Sequence, residues 1–88
     1  MFYVYVLLSL KDDKLYIGCT NDLKDRLGRH NKGQVKSTTK RKPFILIYYE
    51  AFLDEHDAFM RERGLKTGRG RNQLKKILKS YFAKRVGK

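Results

Sequence analysis

The chain has no tryptophan, and cysteine and proline occur once each among its 88 residues. A lone cysteine, Cys19, rules out an intramolecular disulfide and any zinc site assembled from cysteines, so a small, half-buried place in a strand is its expected role. Long apolar runs are missing too. The opening stretch, Met1 to Leu10, is about half of the roughly 20 residues that span a bilayer and lacks the basic lead of a signal peptide, so a cytoplasmic protein with no membrane partner is expected. Acid is scarce: 9 Asp and Glu stand against 21 Lys and Arg, a formal net charge of +12. The deficit is concentrated at one end. Residues 1–60 hold 10 basic and 8 acidic side chains, net +2, whereas residues 61–88 hold 11 basic and 1 acidic, net +10. Such a block selects a polyanion, and nucleic acid is the commonest one in the cytoplasm. The length fits one small domain, residues 1–83, followed by a basic tail, residues 84–88.

What the chain does contain begins with two tyrosine-bearing strands. β-branched and aromatic residues fill Phe2 to Leu8 and Lys14 to Cys19, and the polar run Lys11-Asp12-Asp13-Lys14 between them predicts a hairpin. Side chains alternate across a strand, so Val4, Val6 and Leu8 point one way, and Tyr3, Tyr5 and Leu7 the other. An even-numbered connection pairs odd positions of the first strand with even positions of the second, which sets Tyr5 and Tyr16 on one face. Gly18 leaves that face open beside Tyr16.

A helix follows, starting near Thr20 or Asn21 and ending over Asn31 to Gly33. At about 100° per residue, Leu23, Arg26, Leu27 and His30 share one arc, so Arg26 and His30 belong to the docking stripe rather than to the solvated charges. Taken singly, the arginine fits the edge of a core and the histidine an ordinary surface or satisfied core position. Together with two tyrosines they form a constellation for which a sheet edge has no structural need.

Tyr3-Val4-Tyr5, Tyr16-Ile17-Gly18, and then Arg26 and His30, resemble the GIY-YIG nuclease domain, which occurs in the incision endonuclease of nucleotide-excision repair, in some homing and restriction endonucleases, and in small stand-alone bacterial proteins. Tyr3 stands where the first motif usually carries glycine. The resemblance covers nearly the whole chain. It implies a metal-dependent endonuclease acting on DNA, with Tyr5 as the group that deprotonates or positions the attacking water. Tyr16 and His30 would orient that water or assist proton transfer, and Arg26 would stabilise the transition state. A protein of the same fold that binds DNA or RNA without cutting is the alternative.

Downstream, Gly33 to Pro43 is a polar, basic loop. Its Lys36, Lys40, Arg41 and Lys42 are candidates for phosphate contact, with Ser37, Thr38 and Thr39 as donors; a merely solvated loop would have the same composition. Phe44 to Ala51 is a continuous apolar run, expected to be a third strand buried on both faces. The second helix is expected from Asp54 to about Gly68, where Ala58, Glu62 and Leu65 share a stripe. Glu62 is the only acid of the last 28 residues. A carboxylate on an inward stripe needs a partner, either an arginine such as Arg26 or a metal ion. The tyrosine constellation favours the metal, and the resemblance implies the same, with Mg²⁺ expected of a single carboxylate. Glu50 and Glu55 are weaker candidates, and Asn72 is not assigned to the site. A third helix, about Arg71 to Ala83, turns Leu74, Ile77, Leu78, Tyr81 and Phe82 inward and Lys75, Lys76 and Lys79 outward. With Arg69 and Arg71 at its start, these lysines complete the expected nucleic-acid surface. The expected fold is a small α+β (α/β) domain, a three-stranded antiparallel sheet flanked by helices in the order ββαβαα.

Overall fold

A computed structural model describes residues 1–86. Strand β1 (Phe2–Ser9) is central, paired antiparallel with β2 (Leu15–Thr20) on one side and with β3 (Phe44–Phe52) on the other, in the order β2-β1-β3. Four helices complete this α+β fold: α1 (Leu23–Asn31), α2 (Glu55–Leu65), α3 (Gly68–Ile77) and α4 (Lys79–Val86). The β1–β2 register joins Tyr5 to Gly18 and Leu7 to Tyr16, so the expected pairing of odd with even positions is the one observed.

The alternation of β1 separates two cores. Val4, Val6 and Ile17 pack against Ala58 and Leu65 of α2 and Leu74 of α3. On the other face Tyr5, Leu7 and Phe44 meet Leu23 and Leu27 of α1. β3 departs from expectation, because it is an edge strand rather than one buried on both sides: only Phe44 is fully buried, and Tyr49 is 52 % exposed. Its register slips opposite Val6 and Leu7, which pair with Tyr48 and Leu46, leaving Ile47 as the extra residue of a bulge. Both Ile47 and Tyr48 consequently join the α2–α3 side.

Caps fix the helix ends. Asp22, rather than Thr20 or Asn21, caps α1, accepting from the Asp25 amide at 3.0 Å. At its C-terminal end, Asn31 donates to the Phe44 carbonyl at 3.0 Å and accepts from the Phe44 amide at 2.6 Å, tying α1 to β3. α2 stops three residues earlier than expected, since Thr67 accepts from the Gly70 amide at 3.1 Å and starts α3 there. Arg69 and Arg71 therefore lie within the first turn of α3. The single third helix expected from the sequence is two helices, divided at Leu78. The break replaces one straight apolar stripe by two shorter ones: Ile77 becomes 45 % exposed, while Phe82 turns toward Leu8 and Leu15. α4 runs through Lys84 to Val86, across the expected start of the tail, and Gly87 and Lys88 lie outside the described residues.

The α2–α3 side is fastened by an ion pair. Arg61 holds Glu50 in a fork at 2.7 and 2.9 Å and reaches Gln73 at 3.2 Å, while Tyr48 donates to Glu50 at 2.6 Å. This links β3, α2 and α3, and the Arg61 guanidinium holds the Glu50 carboxyl below the usual glutamate range. Close approach of α3 to α2 depends on Gly70, where a Cβ would meet the Gly64 carbonyl oxygen and lie 2.5 Å from Leu65 Cα. Those neighbours are backbone and cannot rotate away. Gly28 has open space around its missing Cβ. Urea unfolding should therefore show Gly70→Ala destabilising by at least about 1–3 kcal/mol, and Gly28→Ala stabilising by about 0.5–1 kcal/mol. Equal effects of the two would contradict the contact at Gly70.

Candidate active site

Gly18 decides where Tyr5 lies. The two residues face each other across the β1–β2 ladder, and a Cβ at position 18 would be 2.5 Å from Tyr5 Cζ. The tyrosine ring thus occupies the space over the glycine. Two residue pairs along, and so on the same face, the Tyr16 ring stands 6.3 Å from that of Tyr5, and the His30 ring of α1 lies 5.8 Å from Tyr5 and 5.0 Å from Tyr16. Phe44 closes the cluster 5.7 Å from His30.

His30 is 0 % exposed, so both of its ring nitrogens need partners. Nε2 meets the Tyr5 hydroxyl at 2.9 Å, and Nδ1 meets Thr38 Oγ1 at 2.8 Å. The Thr38 hydroxyl donates its proton to the Val35 carbonyl at 3.3 Å, so it accepts from Nδ1–H. Nε2 is then the unprotonated nitrogen and accepts from Tyr5. Burial, and secondarily the positive charge of Arg26, hold the imidazole below the usual histidine range. Tyr5 moves the opposite way: burial pushes it up to about 12, although the Arg26 guanidinium against its hydroxyl works to lower it. Arg26 itself has a buried Nε with no hydrogen-bond partner among the described residues.

Glu62 comes from the opposite face of the sheet, on α2. Its side chain is 15 % exposed, and its charge helps to raise the pKa of both Tyr5 and Cys19. Its ion-pair partner is Lys66, one turn on at 2.9 Å, rather than Arg26. Lys66 is half exposed. Among the described residues there is no group of three or more His, Cys, Asp or Glu side chains that could enclose a metal ion. A single carboxylate fits a hard cation that keeps most of its water and shares phosphate oxygens, and fits poorly a cation that demands a protein cage. Glu50 is committed to Arg61 and Tyr48, which removes it as a ligand.

A model of the GIY-YIG catalytic domain matches residues 1–85. The chain belongs to the GIY-YIG family. It is 47 % identical over 79 residues to a UPF0213 protein of Pediococcus pentosaceus, covering 89 % of this chain and 81 % of that one. Identity to a UPF0213 protein of Clostridium perfringens is 41 % over 85 residues, covering 96 % and 89 %. The solution NMR structure of a UPF0213 protein from Bacillus halodurans superposes with a TM-score of 0.53 at 34 % identity, covering 88 % of this chain and 85 % of that chain.

Around this GIY-YIG centre the basic residues do not form one row. Arg71, Lys75 and Lys79 face a cleft of about 720 Å³ floored by Leu8, Leu15 and Phe82, whereas Arg69 and Lys76 lie beside Asn72 and Gln73 on another part of α3. Lys36, Lys40 and Lys42 are exposed on the loop. Arg41 is structural: it pairs with Asp12 at 2.7 Å, donates to the Leu15 carbonyl at 3.3 Å, and lies over the Phe44 ring at 5.6 Å. Thr38 is buried against His30 rather than turned to solvent as a phosphate donor. No periodicity marks a loop threonine; the only clue to it is that a buried histidine bonded to Tyr5 needs a second partner.

Since the folded pKa of His30 is depressed, native stability is full above the ordinary histidine range and declines as pH falls from about 6.5 toward the folded value. NMR titration should place the His30 midpoint below about 6.5 with Nδ1 protonated. Thr38→Val, which strands that N–H, should cost about 1–3 kcal/mol in urea unfolding. A midpoint at or above the ordinary value would contradict the buried network.

Proposed function

We propose that this chain is a divalent-metal-dependent endonuclease that hydrolyses phosphodiester bonds of DNA in the cytoplasm, with Tyr5, Tyr16, Arg26 and His30 as catalytic residues and Glu62 as the metal ligand. The observation that carries this reading is Arg26, whose buried Nε lacks an acceptor while its guanidinium sits against the Tyr5–His30 pair. A half-buried guanidinium whose inner N–H is short of an acceptor is matched by an anionic oxygen. In hydrolysis, water adds to phosphorus, the bond to the leaving oxygen breaks, and negative charge accumulates on the non-bridging oxygens. Arg26 offsets that charge. Tyr5 takes a proton from the water as its own hydroxyl proton passes to the vacant Nε2 of His30, so the high pKa of the isolated phenol is not the controlling quantity. Tyr16, in ring contact with both, orients them.

Glu62 would hold the divalent ion, Mg²⁺ for the single hard carboxylate, and the ion would supply a second positive charge for the phosphate and the leaving oxygen. Lys36, Lys40, Lys42, Arg69, Arg71, Lys75, Lys76 and Lys79 contribute phosphate contacts that position the strand. The raised pKa of Tyr5 favours one other reading, a protein of the same fold that binds DNA or RNA and cuts nothing.

Single-turnover cleavage separates the two. Glu62→Gln should abolish cleavage while affinity in low salt is nearly unchanged, because one charge is lost from a chain of net +12. Tyr5→Phe and Arg26→Ala should each slow cleavage by roughly 10²- to 10³-fold with small effects on binding. Normal rates in all three folded variants would remove the cluster from the chemistry. Affinity has its own test: replacing Arg71, Lys75 and Lys79 together by Gln should flatten the slope of log affinity against log salt on duplex DNA by up to about 3. An unchanged slope would mean that the cleft side of α3 does not touch the nucleic acid.

A further inference from the structure

The row that crosses the sheet at Tyr5 does not end there. Tyr49 of β3 pairs directly with Tyr5 on the side away from Gly18, and Tyr3 and Ala51 pair in the next row. Directly paired residues project to the same face, so Tyr3, Tyr49 and Ala51 share the face of the catalytic cluster. α1 covers the Leu7–Leu46 part of this face through Leu23 and Leu27, and leaves the far rows open. Tyr49 is 52 % exposed, Ala51 is exposed, and the Tyr3 and Tyr49 rings meet at 5.9 Å and 69°, forming a corner of two aromatic walls.

We propose that the Tyr3–Tyr49 corner is a stacking platform for an unpaired nucleobase of the substrate strand, next to the phosphate held by Arg26. This rests on the nucleic-acid substrate of the reading above and narrows it. The two rows carry Gly18, Thr20, Tyr3, Tyr5, Tyr49 and Ala51, all uncharged, and one of them, Tyr5, meets the Arg26 guanidinium with its unmatched Nε. An uncharged aromatic surface beside a cation short of an acceptor has the chemistry of a nucleotide, with a flat base on the rings and its phosphate on the arginine. The bases of an intact duplex are stacked on one another and cannot present a face to the corner, so the nucleotide at the platform must be unpaired. A flap, a gap or a single strand meets this condition. Stacking on tyrosine is tolerant of base identity, so the selection is for structure rather than sequence.

The test uses binding in EDTA, which makes it independent of cleavage. Oligonucleotides carrying 2-aminopurine at successive positions of a single strand should show quenched fluorescence at one position with wild-type protein, and the quenching should be lost in Tyr49→Ala and kept in Tyr49→Trp. Affinity for the single strand should fall roughly 5- to 100-fold in Tyr49→Ala, with affinity for intact duplex unchanged. The substitution alters only a half-exposed ring, and the wild-type quenching profile needs no variant at all. Quenching absent at every position, or an equal loss on single-stranded and duplex DNA, would overturn the platform. A positive result with a protein that never cuts would instead retain the platform and refute only the catalytic reading.

Discussion

The hydrogen bond between the Tyr5 hydroxyl and His30 Nε2 is the contact on which the rest of the site depends. It joins the central strand to α1, and its neighbours support it. Gly18 gives the Tyr5 ring its place, Thr38 fixes the tautomer that leaves Nε2 as acceptor, and Asn31 anchors the end of α1 to the backbone of Phe44. A buried polar network of this kind is favourable only when each member is satisfied. Arg26 is the member that is not: its buried Nε has no acceptor among the described residues.

The other side of the sheet holds the frame. Val4, Val6 and Ile17 form an apolar floor for α2 and α3, Gly70 lets those helices approach, and the Glu50–Arg61 pair ties them to β3. The frame also sets the position of Glu62, one turn from both Ala58 and Leu65 on a packed stripe, so its carboxylate is held by the core rather than by a flexible loop. Glu62 and the Tyr5–His30 cluster thus stand on opposite faces of one sheet, each fixed by its own core.

Much of this was legible in the sequence because it rests on short periodicities. Strand alternation separated Tyr5 from Val4 and Val6, and the helical arc put Arg26 and His30 beside Leu23 and Leu27; the observed register and clusters have the same arrangement. What was not legible lies where no period operates. The inward turn of Thr38 and the pairing of Arg41 with Asp12 depend on a loop folding back over the hairpin. The bulge at Ile47 depends on how β3 meets β1, and the break at Leu78 on where Phe82 finds apolar cover. A run of apolar residues also misled: Phe44 to Ala51 reads as a strand buried on both faces, but an edge strand with tyrosines exposed has the same composition.

The central proposal is that this small basic chain, a member of the GIY-YIG family, cuts DNA by metal-assisted hydrolysis at Tyr5, Arg26 and Glu62. The most direct measurement is an end-labelled panel of single-stranded, duplex, flapped and branched DNA incubated with the purified protein in Mg²⁺ or in EDTA, with product ends analysed. The account predicts cleavage in Mg²⁺ on at least one substrate with an unpaired segment, and none in EDTA. Tight binding to the whole panel with no Mg²⁺-dependent product on any member would contradict it.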